Sequence, residues 1–342
     1  MNLYLFPEAA CKHDGYGIGV DHDFMTYAPK KDDLVVWYSS YSPSQILHLR
    51  PSDVIIRRFG LFSLKSVRNI VCGKIRSELS MADLAFLRNY DIDEIYSDDV
   101  LFYRTLRKMF PDKRIHIRFH NCFSRICIRN SFLKRHVGVK YSITLKNMTK
   151  LENEIFDDRN VDKIFITDED RDFYRSMYGI SSDSETLSLV PSIDYASCRS
   201  GEVHFTHKLV WFGGVESHKE CSVLWFMREI FPKLKRQMPD LEFHLWGKNT
   251  AKFNAPDSSV FGHGFFQGEG MPLNNCLYVN PDITGGGIKL KLITLLEKGV
   301  PFISTPFGFE GYSSELIDGK YCHVVEEDKW VGTILSLLQK YK

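Results

Sequence analysis

The chain has 342 residues, 44% hydrophobic and 25% charged, with a net charge of +1. That is an ordinary soluble composition, long enough for two domains with separate cores, and the total charge points to no class of partner. No run of about 18 apolar residues exists, which excludes a membrane-spanning helix. The 8 cysteines contain no C-x-x-C pair, which argues against zinc and redox motifs and for reduced thiols in a cytoplasmic protein.

In chain order, Asn2 to Phe6 read as a buried strand rather than a signal peptide, because no basic segment precedes so short an apolar run. The loop HDGYGIGVDHD (13–23) is glycine-rich but is not a phosphate-binding P-loop, since no G-K-[ST] follows. Further strands are expected at 34–38, 54–56, 94–97, 114–119, 163–167 and 187–190, and helices at 81–90, 99–110 and 169–178. The last of these follows Thr167 and carries Asp168, Glu169 and Asp170 in its favourable first turn. Proline, serine and glycine then cluster in PSIDYASCRSG (191–201), which sets the domain boundary at about 195: domains 1–195 and 196–342.

A second α/β series begins with KLVWF (208–212) and the turn Gly213-Gly214. A helix over 220–237, strands at 241–247, 259–261, 276–281 and 301–305, and a final helix at 328–339 follow. That final helix has the option of packing back on the first domain. Alternation of strand and helix implies mainly parallel sheets, two Rossmann-like domains and a cleft between them. Between the strands at 276–281 and 301–305, GGGIKLK (285–291) reads as a helix over 285–298 that opens on glycines. Such a start offers backbone N–H groups and a positive dipole end to an anion. Lys289 falls in its first turn, either as a phosphate contact or as an exposed helix lysine. Lys291 shares a face with Thr294 and Lys298 and reads as partly solvent-facing.

The second half resembles the group 1, or family 4, glycosyltransferases of the GT-B fold. The resemblance rests on WFGG (211–214), LEFHLWG (241–247), FGHGFF (261–266), GGGIKLK (285–291), GVPFIST (299–305) and GFEG (308–311). RFHN (118–121) and the segment leading to VPSID (190–194) add weaker echoes. The resemblance implies transfer of a sugar from a nucleotide-sugar donor to a glycan or lipid-linked acceptor, with retention. Donor contacts would come from Gly213, Gly214, Phe265, Gly286, Gly287, Lys289, Thr294 and Glu310. His120 would lie near the transferred sugar. Gly17 in the first loop, with Arg118 and Asn121, would face the acceptor. Asp14 and Asp21 would serve as acceptor bases if the mechanism inverts. The chain departs from the family at Thr294, where a ribose-binding glutamate is usual. A hydroxyl cannot grip both ribose hydroxyls as a carboxylate does.

The D-x-D triplets at 21–23, 91–93 and 168–170 are matches expected by chance in a chain with 43 acids. The resemblance needs no metal and no cofactor, since lysine and backbone dipoles supply the positive charge. His116 and His244 read as packing residues.

Charge is segregated. Residues 113–151 hold ten Lys or Arg and no acid, and 54–77 add Arg57, Arg58, Lys65, Arg68, Lys74 and Arg76, with Glu78 just beyond. Such surfaces suit an anionic membrane or a lipid diphosphate. No nucleic-acid motif accompanies them. The expected function is therefore a cytoplasmic glycosyltransferase of cell-surface polysaccharide biosynthesis, peripheral on the inner membrane face. Two alternatives stay open: a degenerate, non-catalytic partner subunit, and a GT-B-fold sugar-nucleotide epimerase or hydrolase.

Overall fold

A computed structural model describes residues 1–7, 24–60, 63–120, 122–132, 139–179, 202–215, 217–264 and 274–341. The chain divides into two compact units, Met1–Leu189 and Val190–Lys342.

In the first unit the strands are β1 (Leu3–Phe6), β2 (Leu34–Ser39), β3 (Val54–Arg57), β4 (Ile95–Ser97), β5 (Ile115–Phe119) and β6 (Val161–Phe165). They form one sheet in the order β3-β2-β1-β4-β5-β6, and every neighbouring pair is parallel. β1 and β2 are buried along their whole length, as expected of strands covered on both faces. Leu3, Leu5, Val36 and Ile117 enter the main core with Leu106, Leu151 and Ile155. The alternate residues Tyr4, Phe6, Val35 and Trp37 fill an aromatic layer on the other face.

The helices here are α1 (Leu64–Val71), α2 (Tyr103–Met109), α3 (Phe123–Phe132), α4 (Val139–Asp157) and α5 (Asp168–Tyr178). α5 starts where expected: Thr167 Oγ1 accepts from the Asp170 N–H, and Gly179 ends the helix at φ +64°. The helix expected over 81–90 is a 3-10 turn at Ala85–Asn89. α1, α3 and α4 were not expected from the periodicity. α1 buries Ser66 and Asn69 and not its apolar residues, so an apolar stripe seeking the core cannot find it. The strand expected at 187–190 lies outside the described residues.

The second unit repeats the scheme with β7 (Lys208–Phe212), β8 (Glu242–Trp246), β9 (Val260–Gly264), β10 (Leu277–Asn280), β11 (Phe302–Ser304) and β12 (Cys322–Val324). Their order is β12-β11-β10-β7-β8-β9, again parallel between all neighbours. The expected helix over 220–237 is α6 (Ser217–Trp225), a π-helical stretch (Phe226–Ile230) and α7 (Phe231–Gln237). Pro232 supplies no N–H and crowds the preceding turn, which widens the helix there.

α8 (Lys291–Glu297) corrects the reading of 285–298 as one helix. Gly285 and Gly287 take φ +111° and +62°, a path no helix follows. Helix begins at Lys291, past these glycines, and buries Leu292, Ile293, Leu295 and Leu296. The last helix, α9 (Trp330–Lys340), places Trp330, Ile334, Leu337 and Leu338 in the same core as Phe226 and Leu234. The Phe205 N–H also donates to the Tyr341 carbonyl at 2.6 Å. The final helix is therefore part of the second unit's core.

Each sheet has its first strand beside its fourth: β1 next to β4, and β7 next to β10. That is where the chain reverses its winding. In doubly wound sheets the crevice beyond the carboxyl ends of those two strands is the ligand site.

Candidate functional site

In the second unit, the segments that leave β7 and β10 flank this switch point. After β7 comes Gly213, at φ +147°, whose N–H donates to the Trp246 carbonyl at 2.9 Å. The ends of β7 and β8 meet so closely that a Cβ on Gly247 would lie 2.3 Å from the Gly213 carbonyl oxygen. Gly247 also has φ +125°. Only glycine meets both demands.

After β10 the chain runs Pro281, Asp282, Ile283 and Thr284 into the glycines. A buried polar knot holds this stretch. The Thr305 hydroxyl donates to the Asp282 carbonyl. Asn280 Nδ2 donates to Ser304 Oγ at 2.9 Å and to the Gly308 carbonyl at 3.1 Å. A Cβ on Gly308 would lie 2.4 Å from Asn280 Nδ2, so the GFEG turn needs glycine there. The Tyr312 hydroxyl donates to the Lys289 carbonyl at 2.8 Å. The knot therefore joins the glycine loop, the end of β11 and the GFEG turn into one frame.

The two lysines do not sit as the sequence suggested. Lys289 lies before the helix rather than in its first turn. It is only 9% exposed, its ammonium donates to the Gly287 carbonyl at 2.7 Å, and it lies 4.5 Å from the centre of the Phe307 ring. Lys291, expected to face solvent, is held inward. Its Nζ is 3.1 Å from Asp282 Oδ2 and 5.1 Å from the centre of the buried Trp211 ring, a cation–π arrangement. α8 has seven residues and begins past the glycines. Positive charge at this loop thus comes from lysine rather than from a helix end. Gly286 and Gly287 lie in the loop itself, Thr294 is half-buried on α8 and Glu310 is half-buried in the GFEG turn.

Along β8 and β9 the outward residues form a chain of side chains. His244 Nε2 is 3.0 Å from Glu242 Oε2, and His244 Nδ1 is 2.9 Å from His263 Nε2. With Glu242 as acceptor, His244 is protonated on Nε2 and accepts from His263 on Nδ1. His263 stacks on Trp246 with ring centres 4.0 Å apart. Burial, and then the proximity of His244, hold the His263 imidazole below its ordinary range. His244 packs, as the sequence reading has it, stacked on Phe261 with ring centres 5.0 Å apart on the face opposite Phe243 and Leu245. Phe265 lies outside the described residues.

In the first unit, His120 follows β5 and Asp98 follows β4. His120 Nε2 is 2.9 Å from Asp98 Oδ1, and the Asp98 N–H is tied to the Leu5 carbonyl at 2.9 Å. The neighbouring Asp99 caps the 3-10 turn Val100–Phe102, accepting from the Leu101 N–H at 2.9 Å. Burial raises the Asp99 carboxyl above its ordinary range, against the pull of that N–H, His120 and Arg58. An imidazole this close to a carboxylate can take a proton or hold a sugar hydroxyl.

Arg118 is fully buried within β5, its guanidinium carbon 5.8 Å from the centre of the Tyr27 ring. Its side chain, expected as an acceptor contact, has no exposed surface in this structure. Asp14, Gly17, Asp21 and Asn121 lie outside the described residues. His116 packs as expected, stacked on Tyr96 with ring centres 4.4 Å apart and 2.9 Å from Asp162.

The basic stretch 113–151 is less free than it reads, for Arg114 pairs with Asp162 at 2.6 Å and Arg125 with Asp170 at 2.7 Å. The D-x-D carboxylates Asp93, Asp168 and Asp170 each pair with a cation of the chain: the N-terminal ammonium, Arg171 and Arg125.

Sequence reasoning missed Asp98, Asp282, Asn280, Thr305 and Tyr312. Asp98 and Asp282 had one available signal: each directly follows a strand at the switch point or one residue beyond it.

No protein-family model matches the chain, and no curated protein matches its sequence. Solved structures do match in fold. WaaG, a glycosyltransferase involved in lipopolysaccharide biosynthesis, superposes with a TM-score of 0.62 at 14% identity, over 99% of this chain and 90% of its own. Sucrose-phosphate synthase from Thermosynechococcus elongatus gives 0.62 at 12% identity, over 98% and 89%. The E. coli trehalose-6-phosphate protein bound with UDP-2-fluoro glucose gives 0.55 at 10% identity, over 99% and 90%. The fold is that of the two-domain GT-B glycosyltransferases.

Proposed function

We propose that this protein is a glycosyltransferase that moves a sugar from a nucleotide-sugar donor to a glycan or lipid-linked acceptor in cell-surface polysaccharide biosynthesis. The observation that carries the reading is the glycine turn at 213–214 and the lysine-bearing glycine loop at 285–291, brought to the two sides of one switch point in a GT-B fold. A leaving diphosphate gains negative charge as the glycosidic bond breaks, and the site must meet it with fixed positive charge. Lys289 turns from the Gly287 carbonyl to the phosphate. Lys291, neutralised by Asp282, stiffens the loop. The fixed charge of Lys289 near the leaving group lets the reaction run without a metal or any cofactor. Thr294 and Glu310 share ribose and sugar hydroxyls. His120, close to Asp98, orients a hydroxyl of the transferred sugar. The first domain takes the acceptor and the second the donor. Transfer retains configuration, and the enzyme works at the cytoplasmic face of a membrane.

A thermal-shift screen with UDP, GDP, ADP and their sugars tests this. UDP-sugars come first, since one fold neighbour holds UDP-2-fluoro glucose. A ligand at a hundredfold excess over its Kd raises stability by about 2.7 kcal/mol. Lys289→Ala should weaken the hit about tenfold, the loss of one charge-assisted hydrogen bond. Stability unchanged by every nucleotide would overturn the reading. Nucleotide binding without sugar transfer to any acceptor would favour the non-catalytic subunit, for which Thr294 is the motive. Release of free or epimerised sugar without acceptor would favour the hydrolase or epimerase.

One observation favours inversion as a second mechanism. The His120–Asp98 pair has the composition of a general base with its orienting carboxylate. The anomeric configuration of the first-formed product, read by NMR, decides between the two.

A further inference from the structure

α1 is built inside out. Its buried residues are Ser66 and Asn69. Ser66 Oγ donates to the Gly60 carbonyl at 3.2 Å, and Asn69 Nδ2 donates to the carbonyls of Arg76 and Glu78 at 3.1 and 2.9 Å. Those polar anchors fix which way the helix faces. They turn Leu64, Val67 and Val71 outward, at 90%, 52% and 80% exposure. Positions i, i+3 and i+7 lie on one stripe of a helix, so the three form a continuous apolar ridge. Folding gains nothing from it, and an apolar ridge rimmed by polar groups marks a contact site.

The stretch of chain that carries the ridge has charge of one sign. Arg68 is exposed on the helix itself, and Arg57, which ends β3 seven residues before Leu64, is exposed too. Residues 54–77 hold no acid, and of the acids that follow, Glu78 is buried and Asp83 is paired with Lys65.

We propose that α1 docks this protein on an anionic lipid bilayer, with Leu64, Val67 and Val71 entering the acyl boundary and Arg57 and Arg68 meeting the headgroups. A short helix with an apolar ridge and a basic margin lies in the interface plane and binds reversibly. A second protein fits less well: one eight-residue helix is far smaller than the roughly 800 Å² per partner of a stable interface. The inference deepens the reading of a membrane-borne acceptor. Its test uses vesicles and no sugar, so the two can fail separately.

The experiment is flotation of the full chain with vesicles of phosphatidylglycerol and phosphatidylethanolamine, and with vesicles of phosphatidylcholine alone. The chain should float with the anionic vesicles, not with the neutral ones, and salt should weaken the binding. Leu64→Ser with Val71→Ser should lower partitioning on the order of tenfold without moving the melting temperature, since both side chains already face water. Arg68→Gln should lower it about fivefold, and serves where the apolar pair alters folding. The proposal is overturned by an absence of anionic-vesicle binding or by binding that both variants retain. A dimer in sedimentation velocity that Leu64→Ser and Val71→Ser dissolve, with no vesicle binding, assigns the ridge to a second copy and overturns it equally.

Discussion

Lys291 and Asp282 form a largely buried ion pair, Nζ to Oδ2 at 3.1 Å, beneath the segments that leave β7 and β10. Lys291 stands on the first residue of α8, and Asp282 on the segment leaving β10. The pair ties the end of a strand to the start of a helix across the intervening glycine loop.

Removing one partner leaves the other charge buried without compensation. Lys291→Met is expected to destabilise the second unit by about 3 kcal/mol. Adding Asp282→Asn should recover part of that loss. Urea unfolding followed by tryptophan fluorescence measures it, and a loss too small to resolve would mean that the pair is solvated in solution.

The dyad in the first unit makes a kinetic prediction. His120→Ala should lower kcat by roughly 10²–10⁴ if the imidazole takes part in proton transfer. Asp98→Asn keeps the shape and removes the charge, so its smaller loss should fall on kcat and leave the KM for donor unchanged. Wild-type turnover in Asp98→Asn would remove the aspartate from the mechanism.

A pH prediction concerns Glu152, far from either glycine turn in sequence. Burial raises its carboxyl above the ordinary range, although the hydroxyls of Tyr174 and Tyr178 and the Ser124 N–H donate to it. A raised folded value means the native chain binds a proton that the unfolded chain has released. Stability from this group is therefore greatest below the ordinary carboxylate pKa. It falls as pH rises from there through the raised value, and is level above it. Glu152→Gln should flatten that segment, so its stability relative to wild type should improve from acid toward neutral pH. Unfolding free energies of both proteins across the range test this. A constant difference would show that Glu152 titrates normally.

Gly247→Ala introduces a Cβ 2.3 Å from the Gly213 carbonyl oxygen at a backbone φ of +125°. Crowding and conformational strain together should cost about 2–4 kcal/mol. The β7–β8 junction should shift, and nucleotide affinity should fall with it. A variant that melts and binds like wild type would show that Gly213 is not held against β8.

Most strands could be placed from the chain alone, because each is a short run of apolar residues buried on both faces, a property local to the run. KLVWF at 208–212 and LVVWY at 34–38 are of this kind. The Thr167 cap and the α5 that follows were equally local, since cap and first turn sit within four residues. The glycine turns were also visible, as were the histidine after β5 and the resemblance that these motifs carry in order. Three things were decided only by the folded chain. Where α8 begins depended on the path of the glycines, two of which take positive φ. How Lys289, Lys291 and Arg118 point depended on acceptors and rings far along the chain: Asp282, Trp211, Phe307 and Tyr27. The outward face of α1 depended on Ser66 and Asn69 finding carbonyls to bond. A side chain's identity is written in the sequence. Its partner is chosen by the fold, because a charge or an amide inside a protein settles wherever its desolvation is compensated.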